Sequence, residues 1–260
     1  MFGLRQRRRA RSRAAGLTAE HDAGLALVAH WPMLAAATRD AAAAHARVLL
    51  DEKRFEGCAG LEVTDAMRVA IAAQASLLLL RSADRAFDRL RTILIYPREW
   101  RSHDVEPQDD GTVIEQEAVH AGESWGDSDV VILAWDDALA GLRHRSGRTN
   151  LILHEFAHQL DAETHADDGA PRFDDRALAS RWSTVMHAAY DAHVAAVNAD
   201  AYTVIDPYGA EHPAEFFAVV TESFFMDSAR LRHAHPELHA LLRAGFGLDP
   251  CAGWRLEPTD

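Results

Sequence analysis

The chain has 260 residues, 48% of them hydrophobic, and a formal net charge of −13. This length and apolar content suffice for a sizeable buried core and argue against a largely disordered protein. The first thirteen residues contain six arginines and no acid, so the rest of the chain is even more acidic than the total. An acidic body repels the phosphate backbone of nucleic acids, so direct nucleic-acid binding is not expected.

The arginine-rich start is expected to be a basic, disordered tail over residues 1–16. Residues 17–260 are expected to form a single domain of ordinary size. Within it, the predicted elements place a helical part at about 17–90 and a catalytic part at about 91–260.

The apolar stretches of the chain predict neither export nor membrane insertion. No uninterrupted apolar stretch follows the arginines, as a signal peptide would require. The longest apolar stretch of the chain, at 69–80, is interrupted by Gln74 and Ser76 and is too short to span a membrane. The two cysteines, Cys58 and Cys251, are far apart in sequence and indicate isolated thiols. Together these features predict a cytoplasmic protein.

Two helices are predicted in the first part of the chain. Apolar residues recur with helical periodicity at 36–52 and again at 65–81, where Thr64 is placed to act as the N-cap. Gly57 and Gly60 mark a turn between the two helices.

Short β-like runs follow, TILIY at 92–96 and VVILAW at 130–135, with a polar segment between them. Trp125 and Trp135 flank the second run and are expected to pack in the core. An edge strand near a metal cleft can also pair with an extended peptide. Beyond residue 150 the chain is predicted to be mainly helical, with helices at 151–162, 178–197, 213–226 and 236–243. The predicted fold class is α+β, mainly helical, with a small sheet beside the helix at 151–162.

The segment NLILHEFAHQLD contains the pattern HExxH as His154, Glu155 and His158. Four residues of an α-helix turn about 40° beyond a full revolution, so both imidazoles leave one face and can meet one ion. Imidazole nitrogen is a favoured ligand of zinc. Glu155 lies beside a ligand without being one and can act as the general base that takes a proton from water. The surrounding residues are apolar, which predicts a buried helix whose polar groups need a partner such as a metal.

A catalytic zinc usually has three protein ligands, so one is missing from this pattern. The metzincin pattern needs glycine and histidine where the chain has Asp161 and Thr164, and that class is excluded. Glu215 and Glu222 lie seven residues apart on one face of an apolar helix, and spacing alone does not rank them as ligand and orienting residue. Asp206 is a weaker rival ligand. Asp161 lies on the ligand face of its helix and is a candidate either to orient a ligand ring or to cap backbone groups.

These motifs, together with GESW, VVILAWDD, DPYGAEHPAEFFAVVTESFF and HPEL, resemble the Mlc titration factor A family of bacterial zinc peptidases. The resemblance covers most of the chain and implies a metallopeptidase fold similar to the catalytic domain of anthrax lethal factor. It implies that Glu215 is the third ligand of one zinc ion per chain and that Tyr208 assists catalysis. Glu222 is then left to orient a ligand.

The resemblance further implies aminopeptidase-like activity on short peptides and a partner, the transcriptional repressor Mlc. The leading hypothesis is therefore a zinc-dependent peptidase with Glu155 as general base. The alternative is a weakly catalytic or non-catalytic protein that uses the zinc domain to bind a regulator. The arginine-rich start departs from the usual family pattern.

Overall fold

A computed structural model describes residues 2–81, 86–107, 113–120, 122–124, 129–144, 149–164 and 169–256. Over these residues the chain is mainly helical with a small sheet, which confirms the α+β class. The helices are α1 (Phe2–Ala15), α2 (Asp22–Leu25), α3 (Ala36–Glu52), α4 (Asp65–Ser76), α5 (Trp135–Arg143), α6 (Leu151–Ala162), α7 (Arg176–Asn198), α8 (Pro213–Met226), α9 (Ser228–Ala234) and α10 (Pro236–Phe246). The strands are β1 (Arg54–Gly57), β2 (Thr92–Tyr96), β3 (Trp100–Pro107), β4 (Val113–His120), β5 (Gly122–Ser124), β6 (Val130–Ala134), β7 (Leu248–Asp249) and β8 (Arg255–Leu256).

The largest sheet has four strands in the order β1-β2-β6-β5. The first three run parallel, and β5 is antiparallel to β6 at the edge. Ile93, Ile95, Val131 and Leu133 alternate along the two central strands and are buried, so one face of the sheet belongs to the core. Strands β5 and β6 lie against α6, which brings the edge of the sheet beside the helix that carries HExxH.

Helices α6 and α8 pack against each other at the centre of a continuous core. Four phenylalanines of α8 are at most 2% exposed, namely Phe216, Phe217, Phe224 and Phe225. Burying each such side chain contributes roughly 1.5–3 kcal/mol relative to leaving it in water. Across the described residues, no helix combines the length and the apolar character that a membrane crossing needs.

Most helix boundaries follow the predicted patterns. α3, α6 and α8 begin and end at the predicted residues, and Thr64 caps α4 by accepting a hydrogen bond from Met67 N at 3.3 Å. α4 ends at Ser76 and tightens into a 3₁₀ turn, short of the predicted residue 81. α10 runs past its predicted end because the first left-handed residue, Gly247 with φ of 68°, comes four residues later.

The strands were predicted less completely. Gly57 was expected in a turn, yet it ends strand β1, where an added Cβ would lie 1.8 Å from the carbonyl oxygen of Leu61. The polar segment between the two β-like runs contains β3, β4 and β5. Strand β6 ends at Ala134, and Trp135 begins α5 instead of ending the strand. Trp125 lies outside the described residues.

The expectation of a disordered tail at residues 1–16 is corrected, because Phe2–Ala15 form helix α1, which packs against α3. Arginine and alanine favour helix formation. The side chain of Arg9 is 5% exposed and donates two hydrogen bonds to the carboxylate of Glu52, at 2.9 and 2.7 Å. It also pairs with Asp88. These carboxylates hold the basic helix on the body of the protein. The assignment of 17–260 to one domain stays a prediction.

We expect Arg9→Ala to lower the free energy of unfolding by about 2 kcal/mol, because Glu52 would lose its two charge-assisted hydrogen bonds in a largely buried position. Urea denaturation of the full chain measures this change. Arg7→Ala is the matched control, since Arg7 is exposed on the same helix and should change stability by less than about 0.5 kcal/mol. Equal effects of the two substitutions would show that α1 is not docked through Arg9.

Candidate metal centre

Helix α6 presents two histidines to one point. Its N-cap is Asn150, whose side-chain oxygen accepts a hydrogen bond from Leu153 N at 3.1 Å. The apolar residues of the helix face the core, which leaves His154 and His158 on the opposite, less crowded side. Their Nε2 atoms lie 3.2 Å apart.

Helix α8 supplies a carboxylate at the same point. It begins at Pro213, which needs no N–H partner in a first turn. Glu215 follows in that turn, with Oε2 lying 3.1 Å from His154 Nε2 and Oε1 lying 3.4 Å from His158 Nε2. The contact between α6 and α8 therefore brings the three predicted ligands together.

The spacing of these atoms fits a zinc ion. Ligands about 2.05 Å from a tetrahedral zinc are separated from one another by about 3.3 Å. The two Nε2 atoms are 3.2 Å apart, and they lie 3.1 and 3.4 Å from Oε2 and Oε1 of Glu215, respectively, so these separations are close to that value. Two nitrogens and a carboxylate leave the fourth position open, as in catalytic zinc sites.

Glu222 contacts the imidazole of His154. Its Oε1 lies 2.8 Å from Nδ1 of His154, and its Oε2 accepts a short hydrogen bond from the backbone N–H of Asn150. A proton on Nδ1 leaves the lone pair of Nε2 free for a metal. Asn150 was not singled out from the sequence, although an asparagine directly before an apolar helix is a recognisable N-cap signal.

The electrostatics of the site favour positive charge between the rings. Burial lowers the pKa of His154, but the carboxylates of Glu215 and Glu222 more than offset it and raise this pKa to about 10. Burial raises the pKa of Glu215, and hydrogen bonds from His154 and His158 outweigh it and hold the pKa far below its usual range. The same carboxylates would stabilise a bound cation.

Glu155 lies beside the ligand set and is 4% exposed. Burial raises the pKa of its carboxyl to about 7, while the two histidines lower it and the neighbouring glutamates raise it. Within the described part of the chain, its Oε2 has no hydrogen-bond partner. A buried carboxylate oxygen without a protein partner is suited to receive a proton from bound water.

Tyr208 lies over the site on a 3₁₀ turn, Pro207–Ala210, and is 47% exposed. Its ring centroid is 6.2 Å from that of His154. Burial, then the charges of Glu215, Glu211 and Glu155, raises the pKa of the phenol to about 12. The hydroxyl is therefore protonated at neutral pH and available as a hydrogen-bond donor.

The turn that carries Tyr208 is packed directly on the ligand helix. An added Cβ at Gly209 would lie 2.6 Å from Cγ2 of Val219 and 3.2 Å from Cα of Phe216. Asp206 caps the turn by accepting a hydrogen bond from Tyr208 N at 3.0 Å. The rival ligand Asp206 is thus used to hold the turn, and it is absent from the ligand groups found among the described residues.

Asp161 anchors a loop. Its Oδ1 accepts hydrogen bonds from Gly169 N and Ala170 N, both at 3.0 Å, and the residue is 1% exposed. Of the two roles considered for Asp161, these bonds favour the capping of backbone groups. Trp135 is partly buried and packs on the core, as predicted.

A sequence profile of the glucose-regulated metallo-peptidase M90 family matches residues 4–246. An uncharacterized protein of Synechocystis sp. is 39% identical over 78% of this chain and 74% of its own length. The Mlc titration factor A of Pectobacterium atrosepticum is 32% identical over 81% of the chain and 79% of its own length. The Mlc titration factor A of Klebsiella pneumoniae strain 342 is 35% identical over 68% of this chain and 66% of its own length. The profile match includes most of α1, so the arginine-rich start lies within the matched region. The family predicted from the sequence is confirmed, and the chain belongs to the glucose-regulated metallo-peptidase M90 family.

Proposed function

We propose that this protein is a zinc-dependent peptidase with a zincin-like catalytic fold. The observation that carries the proposal is the convergence of His154, His158 and Glu215 within 3.4 Å of one another beside the buried carboxylate of Glu155. Membership of a metallo-peptidase family supports it. Zinc supplies Lewis acidity, which polarises a carbonyl and makes water a nucleophile at neutral pH.

In the proposed mechanism each side chain has a separate role. His154, His158 and Glu215 hold the ion, and Glu222 orients His154. Glu155 takes the proton of the attacking water and passes it to the leaving amine, which avoids a charged leaving group. The phenol of Tyr208 donates a hydrogen bond to the carbonyl oxygen as that oxygen becomes negative.

We propose short peptides as substrates, with aminopeptidase-like cleavage. Strand β5 lies against α6, and its outer edge pairs with no other strand among the described residues. An extended peptide can add to such an edge through backbone hydrogen bonds, which would lay its scissile bond along the metal centre.

Regulator binding is the second candidate function, favoured by the names of the relatives called Mlc titration factor A. We propose a repressor of the Mlc type as a partner of this chain. Hydrolysis that disappears with a chelator would favour the peptidase. Repressor binding by a chain that hydrolyses no peptide, with or without added zinc, would favour the regulator-binding protein.

Glu155→Gln should keep the metal and lower peptide hydrolysis by about 10²–10⁴, because the amide keeps the shape of the side chain and cannot accept a proton. Turnover of short chromogenic peptides by the zinc-loaded variant measures the loss. Glu237→Gln is the control, since Glu237 is exposed on α10. Full activity of Glu155→Gln, in a preparation free of other proteases, would contradict the proposed role.

Glu215→Ala should lower the zinc content by one ion per chain, whereas Glu222→Gln should keep the ion but weaken its affinity by about 10–100-fold. The difference is expected because Glu215 would bind the ion directly and Glu222 would act through His154. Metal analysis and zinc competition titrations measure both effects. The reverse order would exchange the two roles.

Tyr208→Phe should lower kcat by about 10²–10³ while KM and zinc content stay nearly constant, since the hydroxyl is used only when charge develops on the substrate. Steady-state kinetics give both constants. Tyr202→Phe serves as the matched control, because Tyr202 is 73% exposed and belongs to no ligand group of the described chain. A normal kcat for Tyr208→Phe would remove this residue from the mechanism.

A further inference from the structure

A second group of metal-ligating side chains lies near the C-terminal end, on elements that do not carry the first centre. His239 is on α10, Asp249 ends β7, and Cys251 is in the 3₁₀ turn Pro250–Ala252. One ligand atom of each residue lies within 4.8 Å of those of the other two. His239 and Asp249 are 3% and 6% exposed, and Cys251 is partly buried.

The backbone fixes the positions of these three residues. Gly247 ends α10 in the left-handed conformation, with φ of 68°, and reverses the chain toward the helix. Asp249 then caps the following turn by accepting a hydrogen bond from Cys251 N at 2.9 Å. The capping bond and the chain reversal hold the carboxylate and the thiol beside the imidazole of His239.

The distances suit a shared ion. Sγ of Cys251 lies 3.7 Å from Nε2 of His239. Two tetrahedral ligands at about 2.3 Å (sulfur) and 2.05 Å (nitrogen) from zinc are separated by about 3.5 Å. The same Nε2 lies 2.9 Å from Oγ of Ser228, whose hydroxyl offers an oxygen for a fourth position.

The charges near the group suit a neutral imidazole. Burial lowers the pKa of His239, Asp249 opposes this, and the arginines Arg232 and Arg243 lower it further. Neutral imidazole is the form that binds metals. Arg243 pairs with Asp249, its Nη1 lying 3.6 Å from Oδ2 of the carboxylate.

We infer that His239, Asp249 and Cys251 form a second metal site, which takes zinc or a divalent cation of similar softness. Thiolate and imidazole together select this class of ion. The thiol of Cys251 releases its proton to solvent when the metal binds. The ion would tie the C-terminal turn to α10, whose His239 ring lies 5.3 Å, between centroids, from that of Phe224 on α8. Its role is structural, and it does not depend on the proposed peptidase activity.

Cobalt(II) separates this site from the first, because a thiolate ligand gives a strong charge-transfer absorption in the near ultraviolet and the first centre contains no sulfur. The chain has two cysteines, Cys58 and Cys251. The metal-free full-length protein, reduced and titrated with cobalt(II), should develop the band. Cys251→Ser should abolish it, and the matched control Cys58→Ser should keep it.

Zinc content provides a second measurement. The wild-type chain should hold two zinc ions, and Cys251→Ser should hold one, with unchanged peptide hydrolysis. Zinc should also slow the alkylation of Cys251 in the wild-type chain and leave the alkylation of Cys58 unchanged. This test needs no substitution.

Three results would overturn the inference: no charge-transfer band in the wild-type chain, a band that follows Cys58, or a single zinc that Glu215→Ala removes completely. Each of these would leave the proposed peptidase intact if hydrolysis still required metal. If the wild-type chain hydrolyses no peptide but shows the cobalt band, the proposed peptidase activity is rejected and the second metal site is supported.

Discussion

The contact between α6 and α8 places ionisable groups between two largely apolar helices. The rest of the site depends on how the buried charges of these groups are compensated. Glu155, Glu215 and Glu222 bring three carboxylates against two imidazoles in a region where phenylalanines fill the surrounding space. An uncompensated buried charge costs several kcal/mol, so the group is stable only with close partners. Hydrogen bonds supply part of the compensation, and a divalent cation between the rings would supply the rest.

One chain of bonds links helix formation to ligand geometry. Asn150 caps α6 with its side chain and binds Glu222 with its backbone N–H, and Glu222 in turn holds Nδ1 of His154. The start of one helix and the middle of another are thus joined through a single carboxylate. A disturbance of the cap would therefore change the orientation of the His154 ring.

The sequence was most informative where a local pattern determines the geometry. The helical period alone places His154 and His158 on one face, and Pro213 with its apolar run locates α8. Spacing could not rank Glu215 and Glu222, because residues seven apart share a face and only the register of α6 against α8 separates them.

Other features depend on contacts that no local pattern reveals. Six arginines among the first thirteen residues are typical of a solvated tail. The sequence does not reveal the partners of Arg9, because Glu52 and Asp88 are 43 and 79 residues away. Asp161 shares a face of its helix with His154 and His158, yet its carboxylate accepts a hydrogen bond from the backbone of Gly169, eight residues further along the chain. Helical spacing alone reveals neither contact.

The close seating of Gly209 on α8 has a consequence for motion. The backbone of the turn lies so close to α8 that position 209 has no room for a side chain. With that contact intact, the Tyr208 hydroxyl can still change its position by rotation about the side-chain bonds of Tyr208. Rotamer changes of exposed side chains take picoseconds to nanoseconds, against microseconds to milliseconds for the opening of a lid. In the proposed peptidase, repositioning of this hydroxyl by side-chain rotation would therefore not limit turnover.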